Sequence, residues 1–370
     1  MEKAETRMKD EAIANFQFEG TMVGECPYGS GHINDTFLLT FDISGMGQIK
    51  VILQRMNKTI FTDPEALMDN ILGVTSHLRK RIIEQGGDPE RETLNVIRTV
   101  DNKPYYVDSI GEYWRAYKFI TCATSFDQVE KPEDFYESAV AFGKFQRLLA
   151  DYPADTLHET IQGVHDTKAR FQVLKEAVAT DSCGRAASVQ KEIDFVLSRE
   201  YIANFFGELL EAKEIPLRVT HNDTKLNNIM IDDKTGKGVC VIDLDTVMPG
   251  LAMHDFGDSI RFGASTAAED EPDLAKVECS MELFELYTKG YIEGCGGSLM
   301  DKEIELLPMG AKVMTFECGM RFLTDYLQGD SYFKIHRENH NLDRCRTQFK
   351  LVEEIERKWD IMQGIVKKYM

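Results

Sequence analysis

An α+β fold of two lobes, a small β-rich N-terminal lobe and a large, mainly helical C-terminal lobe, is what this sequence predicts. Three observations predict it. The chain has 370 residues, more than the roughly 250–300 that a single packed core accommodates. Its first third carries short apolar runs separated by turn residues, as strands do. Beyond that third, apolar residues recur at helical spacing, interrupted by one island of strand-like runs. The composition turns to small residues at Thr121-Cys122-Ala123-Thr124-Ser125, which sets the expected division at 1–120 and 121–370.

The elements follow in order. Phe37–Phe41 and Val51–Leu53 read as strands, with Gly45 and Gly47 turning the chain between them. Asp63–Glu84 reads as a helix, with Pro64 near its start and Gly86-Gly87 past its end, the asymmetry helices favour. Thr93–Val100, Tyr105–Ile110 and Glu112–Ile120 read as further strands. Helices are expected over Asp134–Leu149, Arg199–Leu210, Glu278–Ile292 and Phe349–Ile365. The strand-like island comprises Leu217–Thr220, Ile229–Ile231 and Val239–Ile242. It holds the polar residues with the most chemical content.

Composition excludes several classes. Hydrophobic residues at 43% and charged residues at 28% describe a soluble globular chain, not a disordered or fibrous one. A net charge of −19 argues against a duplex phosphate partner. An anionic ligand then needs a local screen, from a divalent metal or a cluster of cations and N–H groups. Met1–Gln17 lacks the apolar core of a signal peptide, and no apolar run approaches the roughly 18 residues of a membrane span. The eight cysteines form no C-x-x-C pair, which predicts reduced thiols and a cytoplasmic location. The partners expected are small molecules, with no nucleic acid and no membrane, and the chain is expected as a monomer or weak dimer.

The informative stretch is His221-Asn222-Asp223-Thr224-Lys225-Leu226-Asn227-Asn228, which fits H-x-D-x-x-x-x-N, the spacing of the protein-kinase catalytic loop. Phosphoryl transfer explains the residue types. Asp223 would orient or accept the proton of the attacking hydroxyl, and Asn228 would turn back onto a magnesium ion. Lys225 would offset charge on the transferring phosphate. The second carboxylate such chemistry needs is Asp243, ending the run Val239–Ile242, 20 residues after Asp223. Few oxygen ligands suit Mg2+, which keeps several waters. Asp245 stays open between a second metal ligand and a cap, sharing a strand face with Asp243.

Asp255-Phe256-Gly257 is a literal D-F-G, but it lies 32 residues beyond Asp223 and after no strand-like run. Asp255 therefore reads as an acceptor of backbone N–H bonds that fixes the catalytic loop. Upstream, Gly29-Ser30-Gly31 with Asn34 reads G-x-G-x-x-N just before the strand at Phe37, where a phosphate cover belongs. No Gly-Lys-Ser/Thr follows, so it is not a Walker A loop. The third strand should carry a cation, and Arg55, Gln54 and Lys50 are the alternatives, with Glu65 or Asp69 as partner. An adenine would meet backbone groups of Phe119–Thr121, beyond Trp114-Arg115-Ala116-Tyr117. His165-Asp166 with Arg170 reads as a surface polar group. The segment 321–346 is dense in polar and aromatic residues.

HNDTKLNNIMID, GVCVIDLDTVMPG and HDFGDSIRF resemble the aminoglycoside phosphotransferase superfamily, which is protein-kinase-like in fold. YGSGHINDTF, LQRMN and RFLTDYLQGDSYFKIHRENHNLDRCRTQ are similar to the family of N-acetylhexosamine 1-kinases, and the resemblance runs over roughly residues 18–358. It implies a protein-kinase-like bilobal fold and ATP- and Mg2+-dependent phosphorylation of the anomeric hydroxyl of N-acetylglucosamine or N-acetylgalactosamine. It implies Asp223 as base, Asn228 and Asp243 as metal ligands, and Arg321, Tyr332 and Asp35 as sugar contacts. The departure is the missing third-strand lysine. Other kinases of the fold, for aminoglycosides, choline or homoserine, are the alternative, and −19 would suit a cationic substrate. A catalytically dead nucleotide-binding scaffold would be expected to lose one of Asp223, Asn228 and Asp243.

Overall fold

The computed structural model describes residues 2–29, 31 and 33–370. The N-terminal region runs α1 (Glu2–Ala14), β1 (Thr21–Pro27), β2 (Asp35–Ile43), β3 (Gly47–Arg55), α2 (Pro64–Glu84), β4 (Val96–Ile97), β5 (Tyr106–Val107) and β6 (Tyr113–Lys118). The C-terminal region begins with β7 (Ala123–Thr124), α3 (Pro132–Leu148), α4 (Thr167–Thr180), α5 (Gln190–Leu197) and α6 (Glu200–Glu211). It continues with β8 (Arg218–Thr220), β9 (Ile229–Asp232), β10 (Gly238–Val241), β11 (Met248–Gly250) and α7 (Ala252–Gly263). It closes with α8 (Met281–Cys295), α9 (Asp301–Glu305), α10 (Leu307–Leu327), α11 (His340–Arg357) and α12 (Trp359–Tyr369). The result is a protein-kinase-like, two-lobed α+β fold.

The N-terminal strands form one antiparallel sheet in the order β1-β2-β3-β6-β4, with β5 on β6. Alternation decides its faces. Leu39, Phe41, Val51, Leu53, Trp114 and Ala116 point one way and pack under Met8, Ala12 and Phe16. Ile52 and Tyr117 point the other way, toward the large core that contains Leu67, Met68, Ile71 and Val74 of α2. Helix α1, unremarked in the sequence, thus covers the sheet face opposite α2.

Helix α2 begins as expected, with Asp63 Oδ1 accepting the Ala66 N–H at 3.0 Å and Pro64 in the first turn. Two expected strands shrink to two residues each. Near β4, the Asn95 amide donates to the Thr93 and Pro89 carbonyls at 2.9 and 3.0 Å, holding the chain in a turn. After β5, Asp108 Oδ1 accepts the N–H groups of Ile110 and Glu112 at 3.0 and 2.9 Å. The helix expected over Phe349–Ile365 is two helices broken at Lys358, whose ammonium donates to the Cys279 carbonyl at 2.8 Å.

Beyond Cys122 (φ 54°), β7 pairs with β9, so the chain has entered a second sheet, β10-β9-β7. The short pair β11-β8 lies beside the loop 221–228. Helices α7 and α10 cross at Gly257 and Gly310, where a Cβ on either would run into the other helix's backbone. That close approach packs α7 tightly against the first turn of α10. Cys240, Cys279, Cys295 and Cys345 are buried free thiols. Among the described residues no helix is long and apolar enough to cross a membrane.

Candidate active site

The loop from His221 to Asn228 leaves β8 and feeds β9. Asp255, in the first turn of α7, holds its start. Its carboxylate accepts the N–H groups of His221 and Asn222 at 2.9 and 2.8 Å and the Gln146 amide at 3.0 Å. Its carbonyl accepts Thr224 Oγ1 at 2.5 Å. This is the role read for the D-F-G triplet. The triplet does follow a strand, the three-residue β11, but Asp255 belongs to the helix. His221 sits edge-on to Phe142, with Nε2 donating to the Ile242 carbonyl at 2.9 Å and Nδ1 accepting the Asp223 N–H at 3.3 Å. Asn222 takes the left-handed conformation (φ 63°) and bonds the Thr246 carbonyl at 2.9 Å.

That frame brings Asp223, Lys225, Asn228 and Asp243 together. Asp223 Oδ1 lies 2.8 Å from Lys225 Nζ, and Asp223 Oδ2 accepts Asn228 Nδ2 at 3.0 Å. Burial weakens the Lys225 ammonium, but Asp223 and Asp258 outweigh it, and the pKa ends above its ordinary value. The Asn228 carbonyl accepts the Ile242 N–H at 2.9 Å, tying the loop to the residue before Asp243. Asp243 follows β10 in the left-handed conformation, φ 57°. It opens onto the cleft yet lies deep between the lobes. Desolvation there, with the charges of Asp245 and Asp223, pushes its carboxyl up to about 6, against Arg115 and His221. Excess negative charge at that spot, presented by oxygen donors, fits a hard divalent cation. Among the described residues there is no cluster of three or more His, Cys, Asp and Glu that could hold a metal ion.

Several expectations change on the N-terminal side. Asp245 does not share a strand face with Asp243, because the chain leaves the strand at Asp243 and coils in one tight turn, Leu244–Thr246. Its carboxylate is buried against Arg115, with Nη2 to Oδ2 at 2.8 Å and Nη1 to Oδ1 at 2.5 Å. Asn34 is committed at both ends, donating to Asp245 Oδ2 at 2.7 Å and accepting the Asn57 N–H at 3.0 Å. Strand parity splits the third-strand candidates. Gln54 lies opposite Arg115 and accepts its Nε at 2.9 Å. Arg55 lies opposite Asp35 and bonds it, Nε to Oδ2, at 2.8 Å on the other face of the sheet. Arg55 and Asp35, assigned to phosphate and sugar respectively, therefore meet each other. Glu65 is hydrogen-bonded to Tyr105. The cation facing Asp245 is Arg115, on β6.

Gly29 (φ 81°) and Gly31 have open space where a Cβ would stand, and Ser30 lies outside the described residues. At the connection between the lobes, the Phe119 N–H donates to the Lys50 carbonyl at 3.3 Å, and the Thr121 carbonyl accepts Arg91 at 3.1 Å.

On the C-terminal side a wall of paired charges adjoins Asp223. His165, expected at the surface, is half-buried, its side chain only 10% exposed: Nδ1 lies 3.1 Å from Glu317 Oε1, and Nε2 lies 3.4 Å from the Asn222 carbonyl. Glu317 also accepts Thr167 Oγ1 at 2.6 Å and has Arg170 Nε 3.6 Å away. Burial works against the Glu317 carboxylate, yet His165, Arg170 and Arg321 hold it down to about 2. Asp258 pairs with Arg261 at 2.9 Å. Arg321, one helical turn from Glu317, reaches the Tyr332 hydroxyl at 3.5 Å and lies 5.8 Å from that ring. Tyr332 is 73% exposed. Asp325 presents its loop, accepting the N–H groups of Ser331, Tyr332 and Phe333 at 2.9, 2.8 and 2.9 Å. Sequence reasoning missed Arg115, Asp258 and Glu317. The available signal was an acidic or basic residue inside an otherwise apolar strand or helix.

The phosphotransferase enzyme family model matches residues 25–279. Among solved structures, an aminoglycoside phosphotransferase from Alicyclobacillus acidocaldarius is 11% identical with a TM-score of 0.61, covering 97% of this chain and 96% of that one. A choline kinase from Cryptosporidium parvum Iowa II is 14% identical with a TM-score of 0.60, covering 98% and 97%. Amicoumacin kinase in complex with AMP-PNP and Ca2+ is 12% identical with a TM-score of 0.57, covering 96% and 93%. At such identities the likeness is one of fold.

Proposed function

The chain belongs to the phosphotransferase enzyme family, and from that premise we propose that this small-molecule kinase uses ATP and Mg2+ to phosphorylate the anomeric hydroxyl of an N-acetylhexosamine. The product is the 1-phosphate of N-acetylglucosamine or N-acetylgalactosamine. Residues 1–120 form the nucleotide lobe and 121–370 the catalytic and sugar lobe. The observation that carries the transfer chemistry is Asp223 held between Lys225 and Asn228. A scaffold without activity has no use for that arrangement beside Asp243.

In the mechanism, Gly29 and Gly31 admit phosphates close to the backbone. Asn228 and Asp243 would hold the metal, and a divalent cation beside a nucleotide analogue is what amicoumacin kinase, similar in fold, is complexed with. When bound, Mg2+ screens the phosphate charge. The sugar hydroxyl comes to Asp223, whose carboxylate orients it and accepts its proton as the oxygen attacks. Lys225, kept charged by Asp223 and Asp258, sits where charge accumulates on the transferring phosphoryl group.

The charge wall supports a neutral, polyhydroxylated acceptor. Glu317, Asp258 and Asp223 are each already bonded to a cation of the chain, so a choline or aminoglycoside nitrogen would compete with His165, Arg261 or Lys225. Arg321 and Tyr332 offer donors to ring hydroxyls, and donors left unpaired by a poor substrate penalise it. Phosphorus NMR of the product tests the reading. A glycosidic phosphate doublet coupled to the anomeric proton supports it. A 6-phosphate, or turnover of choline or aminoglycoside without sugar turnover, discards the acceptor and leaves the kinase chemistry standing.

A further inference from the structure

The phosphate-pairing cation expected on β3 is replaced in the cleft by a different device. At the third-strand position facing the cleft stands an uncharged residue, Gln54. Directly across the strand pair is Arg115, and the two side chains bond at 2.9 Å. Gln54 in turn donates to Thr36 Oγ1 at 3.0 Å, so β2, β3 and β6 are linked side to side on that face. Arg115 then crosses to the other lobe and meets Asp245, Nη2 donating to Oδ2 at 2.8 Å and Nη1 ion-paired with Oδ1 at 2.5 Å, with side chains 1% and 5% exposed. The same Asp245 oxygen accepts Asn34 from the end of the glycine-rich loop at 2.7 Å. Asp245 is therefore a residue on which the sheet, the end of the glycine-rich loop at Asn34 and the turn after Asp243 converge.

We propose that Arg115 is a positioning residue for metal-bound nucleotide: by clamping Asp245 it sets Asp243, two residues earlier, in register with the glycine-rich loop. The inference rests on the phosphotransferase reading above. A buried arginine–carboxylate pair is a poor source of stability, since an apolar pair of similar volume often serves as well or better. Its fork geometry, however, fixes a carboxylate in both distance and plane. Asp243 leaves its strand in a left-handed turn, φ 57°, which depends on its surroundings to persist. Asp245 lies inside that turn. The guanidinium also offsets one charge where Asp223, Asp243 and Asp245 gather, so that a polyphosphate and its metal can enter together.

The test is the gain in ATP affinity on adding Mg2+, measured by calorimetry on the full chain with Mg2+ or with EDTA. Arg115→Met, Asp245→Asn, the double variant and Arg115→Lys are compared with the wild type, each with a thermal melt. Arg115→Met should cut the Mg2+ gain by about tenfold or more, as a coupling between metal and nucleotide would. Metal-free ATP affinity should stay within about threefold, a split that general destabilisation would not produce. Asp245→Asn should reproduce the loss, and the double variant should be no worse than the worse single. Arg115→Lys keeps a charge without the fork and should restore only part of the gain. Should Arg115→Met not fold, Asp245→Asn and Arg115→Lys decide alone. An unchanged Mg2+ gain in the folded variants overturns the inference while the kinase reading stands. A wild type with no Mg2+ gain takes the kinase reading down, and the inference with it.

Discussion

Replacing Asp255 by alanine separates a residue that holds the loop from Asp243, the one proposed to hold the metal. Asp255 is 2% exposed and accepts two backbone N–H groups and the Gln146 amide. Gln146 keeps a second bond, to the Val219 carbonyl at 3.0 Å, so its loss counts for little. The N–H groups of His221 and Asn222 are left without an acceptor, at about 1–3 kcal/mol each. Burial pushes the Asp255 carboxyl up, so removing the charge returns part of that cost. A net loss of about 3 kcal/mol remains. For a chain of 370 residues, with an unfolding entropy of about 2.1 cal/mol/K per residue, that lowers Tm by roughly 4 °C. Asp243→Ala should behave oppositely. Its folded-state carboxyl is raised to about 6, above the ordinary value of 3.8, so at pH 7 its ionised form disfavours the fold, and the variant should melt at or slightly above the wild-type temperature. Calorimetric melts, paired with Mg2+ and ATP titrations, read both effects. An Asp255→Ala variant that melts within about 2 °C of wild type refutes the stability argument. Loss of metal-dependent binding in it, with retention in Asp243→Ala, would reverse the two roles.

Asp223→Asn should leave ATP binding near normal and lower kcat by about 10²-fold or more, in single-turnover assays, as loss of general-base help does; near-wild-type turnover removes the assignment. Protons and metal compete for Asp243, so Mg2+ affinity should be flat above about pH 6 and fall by about tenfold per unit below it, read by titration from pH 8 to 5. A flat profile over that range points to another ligand. Arg321→Ala should raise KM for the sugar by about tenfold or more and leave KM for ATP within about twofold, if the arginine contacts the acceptor as proposed. Equal changes in both constants would place it elsewhere.

What could be read along the chain was whatever depends on near neighbours. The spacing of His221, Asp223 and Asn228 is a property of one loop, and Asp243 at the end of a run of Val, Cys and Ile is a property of one strand. The limits of α2 follow from Asp63, Pro64 and Gly86 for the same reason. The sequence by itself therefore determined the chemistry to expect and which loops carry it. It could not determine partners across the cleft. Arg55 points to Asp35 and Gln54 to Arg115 because of strand register, and a shift of one residue would exchange their faces. Asp245 lies 130 positions from Arg115, and Glu317 lies 150 from Thr167. Only the docking of the lobes and the packing of α10 against α4 put those groups within hydrogen-bond reach. Burial makes the same point for His165 and Arg115. A charged residue looks solvent-facing until the fold supplies a partner strong enough to hold it inside, and that partner is chosen by packing.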